Sequence, residues 1–251
     1  FCRGAVGLGD GIGDRGRSLD LLGWWRDERD ACYAGESRHP VFVALTPTID
    51  RLSIPRQPFA DLISAFEQDQ TVTDYDTYEQ LLDYCRRSAN PVGRIVLYLC
   101  ERFREQNAGW SDRVCTGLQL ANFWQDVARD YDIGRVYLPR KDREKFGYTD
   151  ADLAGRVTNP AFLKLMEFQV DRARSLLLAG RPLISEMPGR LQIDIDLFIE
   201  GGLAILREIE RIQFRVWQQR PVVRKTQVGK LFVGAASRRL LRSVGLRRSE
   251  S

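Results

Sequence analysis

Four polar side chains recur at helical spacing in Gln119-Leu-Ala-Asn122-Phe-Trp-Gln-Asp126-Val-Ala-Arg-Asp130. At about 100° per residue, a helix gathers Gln119, Asn122, Asp126 and Asp130 into a sector of roughly 80°. Leu118, Leu120, Ala121, Phe123, Trp124, Val127 and Ala128 take most of the remaining circumference. A surface helix carries a narrower apolar stripe, so this one is expected to be largely enclosed. Carboxylates inside protein need a cation or a proton to offset their desolvation. A hard divalent cation such as Mg²⁺, which keeps waters and bridges to substrate phosphates, suits an Asn/Asp/Asp ridge. A solvated acidic face would show the same spacing, because Gln125 and Arg129 widen the polar sector and acids at i, i+4 are common. Spacing alone leaves both readings open.

Other chemistries are thinly supplied. The single histidine, His39, precedes Pro40 in what reads as a turn, which gives it a structural or surface role. Most histidine-based nucleophilic triads and histidine-ligated zinc sites are thereby excluded. Gly11-Ile-Gly13-Asp-Arg-Gly16 matches a dinucleotide fingerprint, but no strand precedes it and no βαβ unit follows. Five cysteines (2, 32, 85, 100 and 115), odd in number and without CxxC, point to reduced thiols in a cytoplasmic protein. No apolar run reaches the ~18 residues that cross a bilayer, and no signal peptide is visible.

The net charge of +4 is uneven: residues 220–251 hold nine Lys/Arg against one acid. An acidic body, 1–219, with a basic tail, 220–251, is unlike a nucleic-acid binder, which spreads positive charge over its folded face. In the tail Phe232, Ala236, Leu240 and Val244 recur every four residues, with Arg238, Arg239 and Arg242 opposite. That layout suits peripheral contact with the inner face of a membrane, and equally a helix packed on the body.

The elements that must position the ridge read as helices joined by Pro, Gly and Asn punctuation. Leu19 to Tyr33 is amphipathic. An apolar stretch over 41–52 is expected to break near Pro47. Pro58 opens a helix that ends at Gln68-Asp69-Gln70, and Asp74 to Ser88 forms the next. Asn90-Pro91-Val-Gly93 should break or kink the chain before Ile95 to Phe103 resumes. Asp132 to Pro139 reads as a turn and extended exit, and 140–158 as polar connection. Asn159-Pro160 caps a helix to about Leu178. Gln192 to Gln219 is a long periodic stretch in which Gly201-Gly202 allows a kink or a close helix contact. The expected fold is all-α, a single-domain helical bundle around a central cavity.

The ridge, together with Gly134-Arg135-Val-Tyr137-Leu-Pro139 and Tyr84-Cys-Arg-Arg-Ser-Ala-Asn90-Pro-Val-Gly93, resembles the squalene/phytoene synthase family along nearly the whole chain. Ser88-Ala89-Asn90-Pro91, with His39-Pro40-Val-Phe-Val-Ala-Leu, is most similar to its hydroxysqualene synthase (HpnC-type) subgroup. The resemblance implies an isoprenoid-synthase fold and Mg²⁺-dependent conversion of presqualene diphosphate to hydroxysqualene. Squalene or phytoene synthesis from two prenyl diphosphates, such as farnesyl diphosphate, is the alternative. It implies Asp10, Asn122, Asp126 and Asp130 as metal ligands and Arg3, Gln119, Arg135 and Tyr137 as diphosphate contacts. Tyr84 would steer the cation or a proton, and Asn90 would help hold the capturing water. The first aspartate-rich motif departs from the family pattern: Val6 and Gly7 stand where acids are usual, and Gly11 where a Glu is. Only Asp10 remains there, and the chain starts without the helix expected before it. The resemblance therefore also admits a paralogue that binds without turnover.

Overall fold

The computed structural model describes residues 1, 4, 5, 7, 8 and 13–223. Arg3, Asp10, Val6, Gly11 and the tail beyond Val223 lie outside the described residues. Among the described residues the only strand-like pairing is one bridge between Asp74 and Val136. Everything else regular is helical: α1 Arg15–Tyr33, α2 Pro40–Leu52, α3 Gln57–Gln68, α4 Tyr78–Ser88, α5 Asn90–Leu99 and α6 Glu105–Asp132 come first. The short α7 Arg140–Lys145 and α8 Asp150–Ala154 follow, then α9 Pro160–Ala179, α10 Leu183–Glu186 and α11 Leu191–Arg211. No described helix is long and apolar enough to cross a membrane.

The helix ends follow local chemistry. Asn159 accepts from the Phe162 N–H and starts α9. His39 caps α2 by accepting from the Val41 N–H at 3.2 Å, and its ring lies edge-on to Trp25. Helix α4 begins at Tyr78 and not at Asp74, because Thr77 and Gln80 form a reciprocal capping box. That leaves 74–76 extended and free to pair. Helix α2 runs through Pro47, which sits on its exposed side while Phe42 and Ile49 stay buried.

Helix α6 is the hub, packed against α4, α5, α9, α10 and α11. Leu120, Ala121, Phe123, Trp124 and Val127 are buried along it, so the enclosure read from its apolar circumference is present. A second apolar cluster joins α1, α2 and α3 through Trp25, Phe42, Phe59 and Ile63. Where α6, α9 and α11 converge, a Cβ on Gly117 would lie 2.8 Å from Leu177 Cγ and 3.1 Å from its backbone N. A Cβ on Gly202 would lie 2.9 Å from Leu177 Cδ1, so the expected close helix contact is made there. Gly117→Ala gains about 1 kcal/mol in helix propensity, but overpacking against a backbone atom costs about 1–3 kcal/mol. The urea midpoint of this variant should therefore fall with an unchanged slope.

Two segments depart from expectation and matter for the site. The 140–158 stretch is no mere connection: Arg143 is 2% exposed and donates to Leu138 O (3.2 Å), Asp150 Oδ1 (2.6 Å) and Asp74 Oδ2 (3.2 Å). With Val136 N–H donating to Thr73 O at 2.7 Å, this pins the 133–139 exit to the start of α4. Helix α11 ends at Arg211 and not at Pro221. Gln213 and Phe214 turn left-handed, at φ 55° and 59°, and the Phe214 N–H caps Ile209 O at 2.9 Å. The chain thus reverses and lays 215–223 back over α6.

Candidate functional site

The ridge on α6 is not one straight row. Asp126 has non-helical backbone angles (φ −106°, ψ 15°), so the helix kinks at the residue expected to be its central ligand. Asn122 is exposed, Gln119 is half-buried, and Asp126 and Asp130 are partly buried. Gln125, read as part of the polar sector, is instead buried and donates to Pro221 O at 2.7 Å. The two aspartates do share an environment. Burial, then the neighbouring Asp126 charge, pushes the Asp130 carboxyl up to about 7, while Arg135 pulls the other way. Asp130 Oδ2 is buried with no hydrogen-bond partner.

Asp126 is claimed from the other side. The Arg220 guanidinium donates Nε to Oδ1 at 2.6 Å and Nη2 to Oδ2 at 3.1 Å, with Arg129 at 3.8 Å. Among the described residues no third carboxylate, histidine or cysteine completes a metal cluster. The donor set nonetheless fits Mg²⁺, which takes one or two protein carboxylates and fills its shell with water and phosphate oxygens. The unpartnered Asp130 oxygen is what such an ion would satisfy, and on Asp126 a guanidinium already stands as a cation.

Beside the aspartates stands an aromatic wall. Phe123 and Tyr137 stack at 3.7 Å, and Tyr84 lies 6.2 Å from Tyr137 and 5.7 Å from Tyr75. Tyr84 is 5% exposed, its hydroxyl is bonded to Asp69, and burial followed by the Asp69 charge raises it far above the usual tyrosine range. Tyr137 is raised to about 12 by burial first and Asp69 second, and its side chain is bonded to Arg135. Phe123, Asp130, Arg135, Tyr137 and Trp217 line a small, half-open space of about 10 Å³, room for one water. A wide open groove of about 700 Å³ is lined by Tyr75 together with Gln68, Asp83, Arg87 and Arg140.

Asp126, Asp130, Arg135, Tyr137 and Tyr84 are thus gathered around one wall. Asn90 lies elsewhere, at the α5–α6 contact, where its Oδ1 accepts from Thr116 at 2.9 Å; this gives it a helix-joining role. Asp69 and Arg220 were missed. Asp69 reads as a helix terminator in sequence, and Arg220 as the first charge of a tail.

The squalene/phytoene synthase model matches residues 1–227. A phytoene synthase from Arthrospira platensis is 30% identical over 236 residues, 89% of this chain and 76% of its own. A hydroxysqualene synthase from Rhodopseudomonas palustris is 36% identical over 196 residues, 76% of this chain, and the match spans 64% of that relative's length. Among solved structures, squalene synthase HpnC from Alicyclobacillus acidocaldarius superposes with a TM-score of 0.80 at 42% identity, covering 85% of this chain and 80% of that one. A dehydrosqualene synthase in complex with ligand shares the fold, with a TM-score of 0.84 at 20% identity over 96% of this chain and 84% of that one. With its α6 aspartates, its aromatic wall and these matches, the chain belongs to the squalene/phytoene synthase family.

Proposed function

We propose that the chain is a Mg²⁺-dependent prenyl-diphosphate enzyme that converts presqualene diphosphate to hydroxysqualene in squalene and hopanoid synthesis. The observation that carries the reading is the Asp126/Asp130 pair set beside the Tyr84–Tyr137–Phe123 wall, with a buried Asp130 oxygen left unpartnered. The likeness to a hydroxysqualene synthase and to HpnC supports the product class. Mg²⁺ held by Asp126 and Asp130, with Asn122 one turn earlier, would neutralise charge on the departing diphosphate. Arg135 brings a fixed positive charge to the same pocket and orients Tyr137 through their bond. Gln119 would add an amide donor for diphosphate. The ring faces of Tyr84, Phe123 and Tyr137 favour a carbocation, and their close packing excludes bulk water. Because its proton is held against Asp69, Tyr84 acts as a neutral wall and donor, not as a base. The basic segment 220–251 would hold the enzyme against anionic lipid, where a prenyl substrate resides.

Condensation of two prenyl diphosphates is the second reading, favoured by the Arthrospira phytoene synthase, which matches more of the chain. Binding without turnover is favoured by Val6, Gly7 and Gly11 in the first motif. Incubation with presqualene diphosphate, farnesyl diphosphate or a longer prenyl diphosphate, in Mg²⁺ or in chelator, followed by mass spectrometry, separates all three. Hydroxysqualene from presqualene diphosphate, lost in chelator, is the expected result. A hydrocarbon formed from two farnesyl or longer prenyl diphosphates would replace this reading with the second, and retention of substrate without product with the third.

A further inference from the structure

After the reversal at Gln213–Phe214, the strap of residues 215–223 is fixed to the body at four places. Trp217 packs edge-on against Tyr131 and tilted against Phe162, and Val216 is buried. Gln218 accepts from Thr158 Oγ1 at 2.9 Å, Pro221 O accepts from the buried Gln125 amide, and Arg220 forks onto Asp126. The first three contacts, ring packing and amide or hydroxyl hydrogen bonds, use no carboxylate as a partner. The fourth is ionic and uses both oxygens of a residue that the proposed function assigns to a cation.

We propose that Arg220 is a clasp exchanged for the divalent cation: its guanidinium occupies Asp126 in the metal-free protein and is released when the cation binds. The inference rests on the reading that Asp126 and Asp130 hold that ion. A guanidinium in direct contact with both carboxylate oxygens stands where a divalent cation must approach, and two positive charges a few ångströms apart repel strongly away from bulk water. Arg220 matches Asp126 alone and leaves the Asp130 oxygen unpartnered, whereas one divalent ion between the two aspartates answers both. The Arg220 side chain is 33% exposed, so it can leave without opening the core, while the Trp217 and Gln125 anchors stay in place. Release is therefore confined to the Arg220 side chain, between the Trp217 and Pro221 anchors.

The test uses the full chain and Mg²⁺ alone, at ionic strength held constant with potassium salt, because added salt by itself weakens an ion pair. The Arg220 Nε–H resonance, assigned by its absence from Arg220→Ala, should move away from its strongly hydrogen-bonded position. It should do so with the same midpoint as the calorimetric binding curve. Arg220→Ala should bind Mg²⁺ roughly fivefold more tightly, since the ion no longer displaces a partly exposed pair. An unmoved resonance while calorimetry shows binding, or equal affinity in both chains, overturns the clasp and leaves the metal reading standing. No heat from either chain removes the metal reading and the clasp with it. If Arg220→Ala fails to fold by circular dichroism, the resonance is assigned by elimination from Arg220→Lys and the parent titration decides alone.

Discussion

Asp130→Asn is expected to lower Mg²⁺-dependent release of diphosphate from a prenyl substrate by about 10²–10³-fold, the usual loss when one stabiliser of developing charge is removed. The same substitution should stabilise the metal-free fold. The folded carboxyl sits at about 7, above the unfolded value of about 3.9, so the native state holds the proton more tightly than the unfolded chain. Below about pH 4 both states are protonated and the site costs nothing. As pH rises towards 7 the native state is progressively penalised, and above 7 the penalty is complete. Solvent reaches part of the group, so the discounted gain for Asn at pH 8 is about 1–2 kcal/mol. Urea unfolding in chelator should show it at pH 8 and show none at pH 4. An Asp130→Asn chain that releases diphosphate like the parent would sink the metal assignment, and equal stability at both pH values would sink the account of its burial.

Arg143→Ala is the largest expected stability loss, about 3–5 kcal/mol, because it strips a buried cation from its acceptors and leaves a void. Arg143→Met refills most of the void and isolates the polar part. Asp74 keeps Arg140 at 3.0 Å and Asp150 is largely exposed, so that part should come to about 2–3 kcal/mol. The urea midpoints of the two variants measure both. If Arg143→Met matches the parent, the pin between Asp74 and the exit segment carries no weight.

What could be read from the sequence was what local chemistry decides. Asn159-Pro160, Asn90-Pro91 and the apolar circumference of α6 each fixed an element, and the i, i+4 spacing of Asp126 and Asp130 picked out two aspartates whose charges act on each other. Pairings across long stretches of chain stayed hidden. Nothing in a Lys/Arg-rich run says that Arg143 reaches Asp74, or that Arg220 reaches back 94 residues to Asp126. The end of α11 was missed for a different reason. Left-handed turns are expected at Gly or Asn, and here Gln213 and Phe214 adopt them, held by the buried Val216 and Trp217 beyond. The kink at Asp126 was likewise not legible, because straight-helix spacing assumes helical angles throughout.

The junction of 73–76 with 136–143 has a consequence in time. Arg143 meets Asp74 across 69 residues, and between them lie α4, α5 and the whole of α6. Closing so long a loop costs entropy before any contact rewards it, so helices and their near neighbours form ahead of it. The junction should then be absent from the folding transition state. In a chevron plot, Arg143→Met should steepen nothing and leave the refolding limb almost unmoved, while its whole cost appears as faster unfolding. Arg135 and Tyr137, which ride on this junction, are the last of the site to be fixed and the first to be lost.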